Sequence, residues 1–181
     1  MTINRKEFFR KACISGACMC GFGALGASAD IFQNQPDDTE KRMFREWLST
    51  LLSGLNENDE ATKAAIKSAA IAHYNNLKMD EMLAPYVGDM DKFIGFISEK
   101  WGWKIDFDKA TKTLIADENK AYCVCPVLPH NSENPQPAMC YCSEGFAGKM
   151  FSKVYGAPVS AQVISSVRKG DKSCQYKVVF S

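Results

Sequence analysis

Trp103-Lys104-Ile105-Asp106-Phe107, then the polar run Asp108 to Lys112, then Thr113-Leu114-Ile115-Ala116: at this stretch the chain changes from helix to sheet. The first run alternates apolar and polar side chains, the period of a strand with one buried face. The second run is apolar, and the segment between them is turn-like, so the pair predicts a β-hairpin. Downstream, Ala121 to Val127 reads as a third strand. Pro129 to Pro137 reads as a loop. A helix is expected from Cys142 or Ser143 to Tyr155, with Phe146, Met150 and Val154 on one side, ended by Gly156 and Pro158. Val159 to Val167 and Cys174 to Phe180 follow as strands around the turn Lys169-Gly170-Asp171.

Upstream the period is helical. Met43, Phe44, Trp47, Leu48, Leu51, Leu52 and Leu55 form one apolar face of a helix starting near Thr39. A second helix is expected from Asn58 or Asp59 to Leu77, packing through Ala65, Ile66, Ala69, Ala70 and His73. Met79 to Ala84 reads as a short helical turn before Pro85. Asp89 to Lys100 reads as a helix that Gly102 follows. The expected fold is therefore α+β: a helical N-terminal half, then an antiparallel sheet with a packed helix, in the order β-β-β-α-β-β.

The first 29 residues read as a cleavable leader. Arg5, Lys6, Arg10 and Lys11 give a basic start, Ala12 to Ala27 a small apolar stretch, and Ala27-Ser28-Ala29 an A-x-A cleavage site. Gly16, Gly21, Gly23 and Gly26 count against an ordinary helix there, at roughly 1 kcal/mol each relative to alanine. Asn4-Arg5-Lys6-Glu7-Phe8-Phe9 resembles a twin-arginine signal, with Lys6 at the second arginine. A lipoprotein signal through Cys18 or Cys20 is the runner-up. The protein is thus expected to be exported, to the periplasm or cell envelope, with a flexible start at 30–38 and a single domain over 39–181. Removing 1–29 leaves 18 basic against 20 acidic residues. That balance gives no case for nucleic acid, and no second segment is apolar enough to span a membrane.

Of eight cysteines, five remain after the leader: Cys123, Cys125, Cys140, Cys142 and Cys174. Cys123-Val124-Cys125 and Cys140-Tyr141-Cys142 are two C-x-C pairs. In a strand, residues two apart share a face, so Cys123 and Cys125 aim their sulfurs together. Cys142 near a helix start is expected to favour its thiolate. Four or five sulfurs suit a metal, Zn²⁺ first and an Fe–S cluster second. The competing reading is disulfides, Cys123–Cys140 and Cys125–Cys142, in an oxidising compartment. Phe93, Phe96, Trp101, Trp103 and Phe146 are candidates for a pocket that takes a small apolar molecule. Glu144 is a candidate general base for a metal-bound water, or a first-turn residue answering the helix dipole. His73 reads as a core histidine and His130 as a solvated loop residue. No nucleophile elbow, phosphate loop or H-E-x-x-H pair is present.

The run from Cys142-Ser143-Glu144-Gly145-Phe146-Ala147-Gly148 through Tyr155-Gly156-Ala157-Pro158-Val159 to Gly170-Asp171-Lys172-Ser173-Cys174-Gln175-Tyr176 resembles the close of 4-vinyl reductase domains. These are small-molecule-binding modules related to the trafficking-complex α/β fold. The run also resembles exported proteins grouped near the aminothiazoline carboxylate hydrolases. The resemblance covers about the last 45 residues. It implies a ligand pocket, beside a cysteine-rich zinc site in some members. There a Glu and a Cys on the penultimate strand help hold the metal; the matching positions are near Val163 and at Ser166, neither of which can replace them. Cys174 and one of Cys140 or Cys142 carry over, with Cys123 and Cys125 as possible replacements. The expected function is an exported small-molecule-binding domain with a cysteine-held metal. The alternatives are a metal- or thiol-dependent hydrolase and a disulfide-stapled interaction domain.

Overall fold

The computed structural model describes residues 36–128 and 136–181, with side chains from Thr39 onward. The leader, most of the flexible start and His130 lie outside the described residues. Residues 38–181 form one compact unit.

Helix α1 runs Pro36–Gly54, a few residues earlier at its start than the apolar spacing predicts. Leu52 is buried and Leu48 packs beside it, but Met43, Phe44 and Trp47 face solvent, Trp47 at 60% exposure. Only part of the apolar face therefore packs on the described chain. Helix α2, Glu60–Asn76, begins where Asp59 accepts the Thr62 N–H at 2.8 Å, which satisfies one donor of the first turn. Helix α3, Met79–Leu83, passes into a 3₁₀ turn, Ala84–Tyr86. Helix α4, Met90–Phe96, is capped by Asp89 on the Lys92 N–H and continues as a π-turn, Ile97–Trp101. Gly102, at φ 72°, ends it in a left-handed conformation that glycine adopts without steric cost.

Strands β1, Lys104–Asp108, and β2, Thr113–Asp117, form the expected hairpin. A 3₁₀ turn, Pro137–Met139, leads into helix α5, Cys140–Tyr155. Strands β3, Val159–Ser165, and β4, Gln175–Phe180, complete a four-stranded antiparallel sheet in the order β1-β2-β4-β3. The fold is α+β, with helices first and a helix packed on the sheet.

Ala121 to Val127 is not a strand. β2 already pairs on both sides, with β1 and β4, so it has no free edge to offer. Locally, sulfur takes the donors a ladder would use. Cys123 Sγ accepts the Cys125 backbone N–H, and Cys125 Sγ accepts those of Val127 and Leu128. Pro126 has no N–H to give.

Two apolar clusters form the interior. The main one joins Phe93, Ile97, Leu114, Met150, Phe151, Val178 and their neighbours between sheet and helices. The smaller one holds Leu52, Ile66, Ala70, Leu128, Met139 and Cys142. Helix α5 serves both clusters, through Cys142 in its first turn and through Ala147, Met150, Phe151 and Val154 beyond it. Its crossing with α2 requires Gly145, because a Cβ there would run into the Lys67 carbonyl oxygen and stand 2.9 Å from Ala70 Cβ.

Candidate functional site: a cysteine-lined cavity

A cavity of about 530 Å³ opens between the two clusters. Its lining draws Met139 and Cys142 from the smaller cluster, and Met79, Ala147, Cys174 and Tyr176 from the main one. The size falls within the usual range of small-molecule sites, roughly 300–1,000 Å³.

One wall is apolar: Leu77, Met79, Met82, Trp101, Trp103 and Phe146. The π-turn before Gly102 delivers Trp101, and Lys120 Nζ holds the Trp101 carbonyl at 2.7 Å. Trp101 and Trp103 meet edge to face at 5.4 Å, and Trp103 stacks on Tyr176 at 5.9 Å. Of the five aromatics the sequence proposes for a pocket, Trp101, Trp103 and Phe146 line this cavity. Phe93 is fully buried in the main core, and Phe96 packs between Tyr86 and Trp101.

All five described cysteines also line the cavity. None of them forms a disulfide. Cys123 is only 7% exposed and receives the Arg168 Nε–H at 3.2 Å. Hydrogen bonds from the Cys125 thiol and N–H, and the Arg168 charge, bring its pKa down to about 5. Cys125 shifts the opposite way, because its S–H donates to Cys123. Cys140 Sγ lies 2.9 Å from Ser166 Oγ, and burial pushes its pKa up. Cys174 accepts the Val167 N–H and is raised to about 11 by burial. Cys142, expected to favour its thiolate at the start of α5, is also raised, because burial outweighs the helix dipole.

Arg168 owes its place to the segment after β3. Ser166 accepts the Arg168 backbone N–H at 3.1 Å and caps the 3₁₀ turn Val167–Lys169. Asp171 accepts the Ser166 N–H at 2.7 Å, and Gly170, at φ 92°, closes the turn. The guanidinium is thereby buried, at 8% exposure, against the cysteine wall. Glu118 also lines the cavity, and its carboxylate accepts the Tyr176 hydroxyl. Its pKa is raised, first by burial. His73 also lines the cavity, stacked on Phe146 at 4.5 Å, and burial lowers its pKa.

Glu144 does not line the cavity. Its carboxylate accepts the Val163 N–H of β3 at 2.9 Å and pairs with Lys67 of α2 at 2.6 Å, so it ties three elements together. Sequence reasoning missed Glu118, Arg168 and Tyr176. Arg168 and Cys123 are 45 residues apart, and no local pattern joins them.

A zinc centre needs three or four donors aimed at one point. Among the described residues, no group of three or more His, Cys, Asp or Glu side chains stands so as to hold a metal ion. The sulfurs engage pairwise instead: Cys123 with Cys125 and Arg168, Cys140 with Ser166. Among the described residues this arrangement does not present a ready zinc site. Among the described residues, no helix is long and apolar enough to cross a membrane.

No curated protein matches the sequence. The model of DUF6144, a family of unknown function, matches residues 27–181, and the chain belongs to that family.

Proposed function

We propose that the protein binds a small, mainly apolar molecule in this cavity, with the thiol wall meeting one end of it. One observation carries the reading: a cavity of about 530 Å³ is lined by aromatic and methionine side chains together with five cysteines. Methionine and tryptophan give the apolar grip, and Glu118 with Tyr176 supplies a directional polar group. The resemblance of 142–176 to 4-vinyl reductase domains supports the same reading. We further propose that the chain is exported, on the leader-like composition of residues 1–29. Protein recovered from the producing cell should then begin at Asp30 by N-terminal sequencing; an intact Met1 would overturn this.

Binding is tested with 1-anilinonaphthalene-8-sulfonate as probe. Saturable energy transfer from Trp101 and Trp103 at one dye per chain is expected. Met82→Arg, which sets a charge in the apolar wall, should weaken binding about ten-fold or more, equivalent to about 1.4 kcal/mol. Unsaturable dye uptake, or uptake indifferent to that variant, sinks the reading. So does stoichiometric zinc in the purified protein together with exclusion of the dye.

A further inference from the structure

Three donors converge on Cys123 Sγ: Arg168 Nε–H at 3.2 Å, the Cys125 backbone N–H and the Cys125 thiol. The two sulfurs are therefore in hydrogen-bond contact, one able to carry charge and the other holding a proton. Val127 and Leu128 donate their N–H groups to Cys125 Sγ, which fixes the segment around both. Cys123, Cys125 and Arg168 all lie on the wall of a cavity sized for a small molecule. A lone activated thiol would leave any captured electrophile attached. A second thiol in contact with it can release a captured sulfur compound.

We propose that Cys123 and Cys125 are a thiol–disulfide exchange pair that acts on a small-molecule disulfide whose apolar or aromatic group lies against Trp101, Trp103 and Phe146. The proposal rests on the reading that the cavity takes a small apolar molecule. Cys123 thiolate attacks one sulfur of R–S–S–R′. The S–S bond breaks, a mixed disulfide forms on Cys123, and R′S⁻ leaves with the Cys125 proton as R′SH. The Cys125 thiolate then attacks the Cys123 sulfur and expels RS⁻, which takes a proton from solvent. Two protein thiols are oxidised to one disulfide, and one small disulfide is reduced to two thiols. A soluble thiol restores the pair by the reverse exchange. Arg168 is a positioning residue, since it acts through Cys123. The other titratable groups facing Cys123 are Glu118, Cys140 and Cys174.

The probe is bis(3-carboxy-4-nitrophenyl) disulfide, added to the full chain near pH 6, where an ordinary thiol of pKa about 8.5 is mostly protonated. A burst is expected that releases two nitrothiophenolates and leaves a Cys123–Cys125 disulfide, seen by mass spectrometry as the loss of two hydrogens without an adduct. Cys125→Ser should release one equivalent and keep the adduct on Cys123. Arg168→Gln should slow the burst about ten-fold near pH 6 and recover near pH 9, whereas Arg168→Lys should keep most of the rate. The proposal fails if the wild-type burst is no faster than that of free cysteine. It also fails if the first adduct maps to Cys140, Cys142 or Cys174, or if Cys125→Ser retains no adduct. Dye binding measured on the wild type separates the two readings: binding kept with the burst absent overturns only the exchange chemistry, and loss of dye binding overturns the cavity reading.

Discussion

Glu118 is 6% exposed and rests its carboxyl against the Tyr176 hydroxyl. Because burial raises its pKa, the folded chain holds a proton over a range where the unfolded chain has lost it. Stability from this group is therefore full below the ordinary carboxylate value and is lost as pH rises through the folded value. Glu118→Gln keeps an acceptor for Tyr176 and removes the titration. Urea unfolding at a series of pH values should show the variant gaining on the wild type as pH rises; a gain in the other direction refutes the assignment. Tyr176→Phe removes the donor and should cost about 1–3 kcal/mol in the same assay. At this scale the sequence marks the cysteines and the tryptophans, because their side chains announce a chemistry wherever they fall. It does not mark Arg168 or Glu118, which acquire their roles from what the fold sets beside them. Cys142 shows the limit of a local rule, since a helix start favours a thiolate only where water still reaches it.

Strand and helix assignments succeed where the pattern is set by local periodicity. β1 alternates burial as its residues alternate polarity, and Asp59 and Asp89 start α2 and α4 as caps. Ala121 to Val127 has strand-like residues, yet no sheet edge receives it and its own sulfurs take its N–H groups. Pairing partners are a property of the whole sheet, which no seven-residue window contains. Likewise Gly145 reads as a helix weakness, while its use is the close crossing of α2 over α5. Gly145→Ala should cost about 1–3 kcal/mol by overpacking, despite the better helix propensity of alanine. Denaturant titration giving equal or higher stability would show that the helices can separate at no cost.

At the scale of the molecule, residues 38–181 form one compact unit. A chain beginning at Asp30 should therefore unfold in one calorimetric transition with a midpoint close to that of the full chain. Two transitions, or a clear drop, would show that the preceding residues belong to the fold. Helices α2 and α5 both place side chains in both apolar clusters, α2 through Ile66 and Ala70 in the smaller one and Tyr74 in the main one, and the cavity draws its lining from both clusters. An occupant there touches Met139 and Cys142 on one side and Met79 and Tyr176 on the other. It bridges two regions that otherwise meet mainly through α2 and α5. Amide hydrogen exchange should register this as a merging of protection. In the empty protein, the amides around Ile66 and Leu128 should open independently of those in β2 and β4, and on filling the cavity the two sets should exchange at a common, slower rate.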